Sequence, residues 1–143
     1  MSKLISTALF LLIFYEIGHA QLLSGCEGVT AFDKSRIPSL GIVISSGDAE
    51  TVWNALRLGI AAQSKGDTVV IFVIGKAEDV FMHDSSRFEI QKASQQFVGK
   101  SGDIYACATC AKMRNTENVQ MCTITSIFDL YEIVKRSRKI VSF

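Results

Sequence analysis

From Leu40 onward the apolar positions alternate between unbroken runs of strand length and stretches with helical spacing. LGIVIS, Leu40 to Ser45, is a continuous run suited to a strand buried on both faces. Ser46-Gly47-Asp48 turns the chain, and Asp48 is a good N-cap with Glu50 favourable in the first helical turn. Val52, Ala55, Leu56, Leu58, Gly59 and Ala62 then recur at helical spacing up to Gly66, a natural stop. TVVIFVI, Thr68 to Ile74, predicts a second buried strand closed by Gly75. Phe88 to Val98 reads as another helix, ending before Gly99 and Gly102, and Asp103 to Ala106 as a short third strand. After a brief run at Val119 to Ile124, Ser126-Ile-Phe-Asp129 has the form of a capping box. It opens a helix with Ile127, Leu130, Tyr131, Ile133 and Val134 on its apolar side, and Lys139 to Phe143 closes the chain as a last strand.

Alternating buried strands and helices predict an α/β fold: a single-domain sandwich, its sheet mostly parallel and flanked by helices on both faces. Crossovers in such a sheet are right-handed, and ligands gather at the carboxyl ends of the strands. The domain covers 39–143. Gln21 to Pro38 is mixed, contains glycine and has no periodicity, so it reads as a linker.

The first residues follow a different pattern. Met1 to Lys3 is minimally basic, Leu4 to Phe14 is apolar apart from Ser6 and Thr7, and Gly18-His19-Ala20 ends a more polar stretch. This fits a cleavable secretory signal over 1–20, and the apolar run is too short to span a bilayer comfortably. A second reading makes Leu23-Ser24-Gly25-Cys26 a lipobox, extending the signal to 1–25 and putting a lipid on Cys26. Only then would the chain touch a membrane. The expectation is export to a periplasmic or other extracytoplasmic space, the alternative being a cytoplasmic protein whose start was assigned too early.

Charge excludes one class of partner. Fifteen Lys and Arg stand against fourteen Asp and Glu, so there is no basic footprint for nucleic acid. At 143 residues a domain can bury a core without covalent staples. The cysteines are therefore free to do chemistry.

Two of them stand out, in IYACATCAKMRN, Ile104 to Asn115. Cys107 lies where the third strand leaves the sheet and Cys110 in the turn that follows. A helix N-terminus directs unpaired amides and positive potential at a nearby sulfur, favouring thiolate. Lys112 and Arg114 add to that effect. Thiolate is the nucleophile, so this is an address for a reactive cysteine. Competing readings are two small buried hydrophobes at a strand end, half of a zinc site, and a thioredoxin-type dithiol. Zinc sites of the closed type need four ligands, and this C-x-x-C has no second pair; Cys122 and His83 are scattered singles. The thioredoxin fold needs a proline facing its thiols, and the sole proline is Pro38, far upstream. Neither a metal nor an organic cofactor is expected.

The order and spacing of these segments resemble the DsrE/DsrF-like family, which includes the small sulfur-relay subunits of the TusBCD type. GIVISSGDAETVWNALRLGIAAQSKGDTVVIFVIGK is similar to the family's opening strand, Ser/Gly turn, long helix and second strand. IYACATCAKMRN is similar to its cysteine segment, and CTITSIFDLYEIVKRSRKIVSF to its closing helix and strand. The resemblance implies that Cys107 carries sulfur as a persulfide, with Arg114 at the matching arginine and Cys110 as the second cysteine of a C-x-x-C subgroup. Asn115 stands where glycine is usual and also tolerates a left-handed backbone. Sulfur donor and acceptor proteins are implied as partners, as is a homo-oligomer, trimeric or hexameric, with the cysteine near a subunit interface.

The function expected is thus a sulfur carrier or sulfurtransferase, with Cys107, Cys110 and Arg114 as its site residues. The alternatives are a non-catalytic oligomeric module that binds partners through the same fold, or a dithiol redox protein. Around this site Cys122 offers a third sulfur or a buried strand-end residue, His83 a proton donor or a solvated loop residue. Ser45, Ser46 and Gly47 line the crevice or simply make a turn. Lys135, Arg136, Arg138 and Lys139 form a docking patch or the ordinary cations of a helix end.

Overall fold

The computed structural model of the chain describes residues 31–83, 85, 87–115 and 121–143. Its five strands are β1 (Leu40–Ile44), β2 (Val69–Val73), β3 (Asp103–Cys107), β4 (Thr123–Thr125) and β5 (Lys139–Ser142). They form one sheet in the order β4-β3-β2-β1-β5, and every neighbouring pair is parallel. The helices are α1 (Ala49–Ser64), α2 (Ala77–Met82), α3 (Ile90–Gly99), α4 (Ala108–Arg114) and α5 (Ile127–Arg136). Among the described residues no helix is long and apolar enough to cross a membrane.

The two-sided burial expected of parallel strands is clearest in β2, whose five residues are all buried. Val69, Ile71 and Val73 pack into a large core with Val52, Ala55 and Leu56 of α1, Phe81 of α2 and Phe97 of α3. Val70 and Phe72 point to the other face, where they meet Tyr105, Cys107, Ile133 of α5 and Phe32. Period-two alternation along a strand thus feeds two separate helical layers. The reversal of direction explains why α5 stands on its own face. The chain steps outward from β1 to β4 and then returns to place β5 beside β1, and right-handed crossovers in opposite directions put their helices on opposite faces.

Local signals fix the helix starts. Asp48 accepts from the Thr51 amide at 2.8 Å to cap α1. Ser126 and Asp129 make both halves of the capping box that starts α5. Gly59 lets α3 approach α1, because a Cβ there would stand 2.8 Å from the Phe97 ring. The segment read as linker is anchored at Phe32 and Pro38, which are buried: Phe32 is 4% exposed, its amide donates to Asp129 Oδ1 at 3.2 Å, and its ring meets Tyr105 edge-on. The signal and lipobox readings, and the first part of the linker, lie outside the described residues.

Candidate functional site

The site forms at the carboxyl edge of β3, where the chain passes from strand to helix within one residue. Cys107 is the last residue of β3 and also the N-cap of α4, with extended backbone angles. It is 3% exposed. Cys110 lies in the first turn of α4 and is half-buried. The sequence therefore places both thiols as expected, at a strand exit leading into a helix.

A third group arrives from the neighbouring strand. β2 pairs with β3 through Val73↔Ala106, and after β2 the chain turns at Gly75, whose φ of +65° favours glycine. The turn starts α2, with the Glu78 amide donating to the Gly75 carbonyl at 3.2 Å. Glu78 is fully buried. Its Oε1 accepts from the Cys107 amide at 3.1 Å. One carboxylate oxygen of Glu78 and the Sγ atoms of Cys107 and Cys110 all lie within 4.8 Å of one another.

The electrostatics differ from the sequence expectation. Burial raises the Cys107 pKa, the Cys110 and Thr109 amides pull it the other way, and the Cys110 thiol adds to the rise. Desolvation outweighs the helix start here, because the residue is almost wholly withdrawn from solvent. Near neutral pH the free Cys107 thiol is therefore largely protonated.

Arg114 does not turn toward the sulfur. Its Nη1 pairs with Asp79 Oδ2 at 2.5 Å, clasping α4 to α2 directly beside Glu78. Asn115 ends α4 with φ 54° and ψ 37°, its amide reaching the Ala111 and Lys112 carbonyls, so asparagine serves at the left-handed cap as expected. Cys122 packs against the larger core and its thiol pKa is pushed up to about 12 by burial and then by the charge of Glu78. It is a partly buried thiol near the site and stays protonated.

The remaining sequence candidates serve local structure. His83 is exposed at the end of α2. Ser45 donates to the Phe143 carbonyl through its amide at 2.8 Å and its hydroxyl at 3.1 Å, joining the ends of β1 and β5. Ser46 accepts from the Asp48 amide in the turn before α1. Of the basic residues near the end of α5, Arg136 donates to the Lys34 carbonyl and holds the N-terminal segment, whereas Lys135, Arg138 and Lys139 are exposed.

Glu78 is the residue that sequence reasoning missed. In AEDVFM it reads as an ordinary acidic residue of a first helical turn, and its burial depends on β3 arriving beside β2.

The DsrE/DsrF-like family model matches residues 39–143. The chain belongs to the DsrE/DsrF-like family. This membership points to sulfur relay, with partner proteins, as the general area of its role. Among solved structures, a conserved protein of unknown function, BT1422 from Bacteroides thetaiotaomicron, is similar at 17% identity with a TM-score of 0.63. The match covers 73% of this chain and 95% of that one, and shows a shared fold. No curated protein matches the chain.

Proposed function

We propose that the protein is a sulfur carrier that holds a persulfide on Cys107 and passes its outer sulfur to a thiol on a partner protein. What supports this reading is the position of Cys107, at a strand exit with two amides facing its sulfur and with Cys110 and Glu78 beside it.

Loading is a thiol exchange in which no net oxidation occurs. The Cys107 sulfur attacks the outer sulfur of a donor persulfide; a new S–S bond forms, the donor's S–S bond breaks, and the donor leaves as a thiol. The proton lost by Cys107 ends on the departing donor sulfur. Glu78, within 4.8 Å of the Cys107 sulfur, is positioned to hold that proton in passing. Unloading reverses the sequence: an acceptor thiol attacks the outer sulfur and Cys107 returns to a protonated thiol. The Thr109 and Cys110 amides stabilise negative charge on sulfur during both attacks.

Arg114, through its pair with Asp79, positions α4 over α2 and so the two thiols relative to Glu78. Cys110 shields the persulfide or resolves it. Its closeness to Cys107 also supports the dithiol reading, in which the two thiols close a disulfide under oxidising conditions. Donor and acceptor proteins, or further copies of the chain, have an apolar stripe available on α5, where Ile127, Phe128, Tyr131 and Val134 are exposed. Export with removal of the first twenty residues belongs to the same proposal.

Intact-protein mass spectrometry tests the carrier directly. Incubation of the reduced protein with a sulfane-sulfur donor should add one sulfur atom, reversibly by reductant. The gain should vanish in Cys107→Ser and persist in Cys110→Ser. Absence of the gain in the reduced wild type sinks the carrier reading, and the same spectrum gives the N-terminus of the mature chain.

A further inference from the structure

The three groups at the β3 exit are more than a nucleophile and its neighbours. A lone C-x-x-C supplies only two ligands, which is why the sequence gives no metal site. Folding supplies a third from a different element: Glu78 of α2 joins Cys107 at the end of β3 and Cys110 of α4, with one ligand atom from each within 4.8 Å of the others. We propose that Glu78, Cys107 and Cys110 form a binding site for a zinc-class divalent cation.

Three observations carry this. The first is distance. With Zn–S bonds of about 2.3 Å and Zn–O bonds of about 2.0–2.2 Å, ligand atoms around a tetrahedral zinc stand about 3.5–3.8 Å apart. From separations of no more than 4.8 Å, the three ligand atoms reach that spacing with at most about 1.3 Å of contraction in any pair, a side-chain adjustment rather than a backbone one.

The second is preorganisation. The Glu78 carboxylate is fully buried and is held by the amide of Cys107, the same residue that supplies one of the sulfurs. Such a bond from outside the coordination sphere orients a ligating carboxylate. The third is donor type. Two sulfurs and one carboxylate suit zinc, a borderline-soft ion, and do not suit magnesium or calcium, which take oxygen ligands.

Binding proceeds with the loss of two thiol protons to solvent: the ion displaces the proton of each cysteine and forms two metal–sulfur bonds and one metal–oxygen bond, without any change of oxidation state. Three protein ligands leave a fourth position for water, the arrangement of an open zinc site. Cys110, the most accessible of the three, marks the way in. A metal-bound Cys107 cannot attack a sulfane sulfur, so zinc and sulfur compete for the same atom. The metal site itself does not depend on the sulfur-carrier reading.

The test uses the full-length protein, reduced and metal-free, with no sulfur donor present. Zinc is titrated against a competing chromophoric chelator, and Co2+ serves as a spectroscopic substitute. The wild type should bind one zinc per chain, and its Co2+ form should show sulfur-to-metal charge-transfer absorption. Cys107→Ser and Cys110→Ser should each weaken zinc by at least about a hundredfold, and Glu78→Gln by about tenfold or more. Circular dichroism on each variant verifies folding, and Cys110→Ser, at a half-buried position, keeps the test valid if Glu78→Gln unfolds. Failure of the wild type to hold zinc stoichiometrically, or wild-type affinity in Cys110→Ser or in folded Glu78→Gln, overturns the proposal. A protein that loads sulfur but not zinc disproves this site alone; one that holds zinc but never loads sulfur disproves the carrier alone.

Discussion

The backbone amide of Cys107 donates to the carboxylate of Glu78 at 3.1 Å, joining the exit of β3 to the first turn of α2. A fully buried acid is thereby fixed beside a buried thiol, and neither group can be altered without consequences for the other. Glu78→Ala removes the acceptor and leaves both a cavity and a buried amide, so it should destabilise the fold by about 2–4 kcal/mol. Glu78→Gln keeps an acceptor for the Cys107 amide at nearly the same volume, and should cost under about 1 kcal/mol. Urea unfolding of the two variants separates these outcomes; equal losses would show that the amide contact is unimportant.

Cys122 gives a pH prediction that does not involve catalysis. Its folded pKa of about 12 lies above the ordinary thiol value, so the native state keeps a proton there that the unfolded chain gives up. The stability it contributes is present below the unfolded pKa, near 9, and is lost as pH rises toward 12. Cys122 should resist alkylation in the native protein at pH 8 while Cys110 reacts. In Cys122→Ala the loss of stability between these pH values should be shallower than in the wild type. Rapid native labelling of Cys122 would show that its thiol is open to solvent and its pKa not raised.

How far these features can be read from the chain depends on how local their causes are. TVVIFVI declares β2, and Ser126 with Asp129 declares the start of α5, because a strand run and a capping box are complete within a few residues. The αL end of α4 is legible at Asn115 for the same reason. α2 is not: it spans only Ala77–Met82, its N-cap Lys76 makes no side-chain cap, and nothing in AEDVFM separates it from a loop. Glu78 was invisible because its role is created by the pairing of β2 with β3. The raised Cys107 pKa is hidden for a related reason: helix-start amides can be read from sequence, whereas the depth of burial that outweighs them cannot.

Asp129 predicts behaviour at the acid end. Burial alone would raise its pKa, but hydroxyls of Thr125 and Ser126 and amides of Phe32 and Ser126 donate to it and hold it below 3.8. Its folded value is therefore depressed. The stability it contributes is full above the unfolded pKa and disappears as pH falls through the folded value. Asp129→Asn should lower stability at pH 7 by about 1–3 kcal/mol and flatten the acid limb below pH 4. Asp129→Ala, which also removes the acceptor of the Phe32 amide, should in addition free Phe32 and accelerate proteolysis near the N-terminal segment.

Arg114 separates structural from chemical roles. Its pair with Asp79 is partly exposed on both sides, so Arg114→Ala should cost no more than about 1 kcal/mol in stability. If the pair sets the position of α4 over α2, sulfur loading of Cys107 should slow, and Asp79→Asn should slow it to a similar degree, since either change releases the same clasp. If Arg114 instead meets the partner protein directly, Asp79→Asn should leave loading from a small-molecule donor intact while Arg114→Ala impairs only transfer between proteins. Loading rates of the two variants from a small-molecule donor, and transfer rates to a small-molecule and to a protein acceptor, decide between these roles.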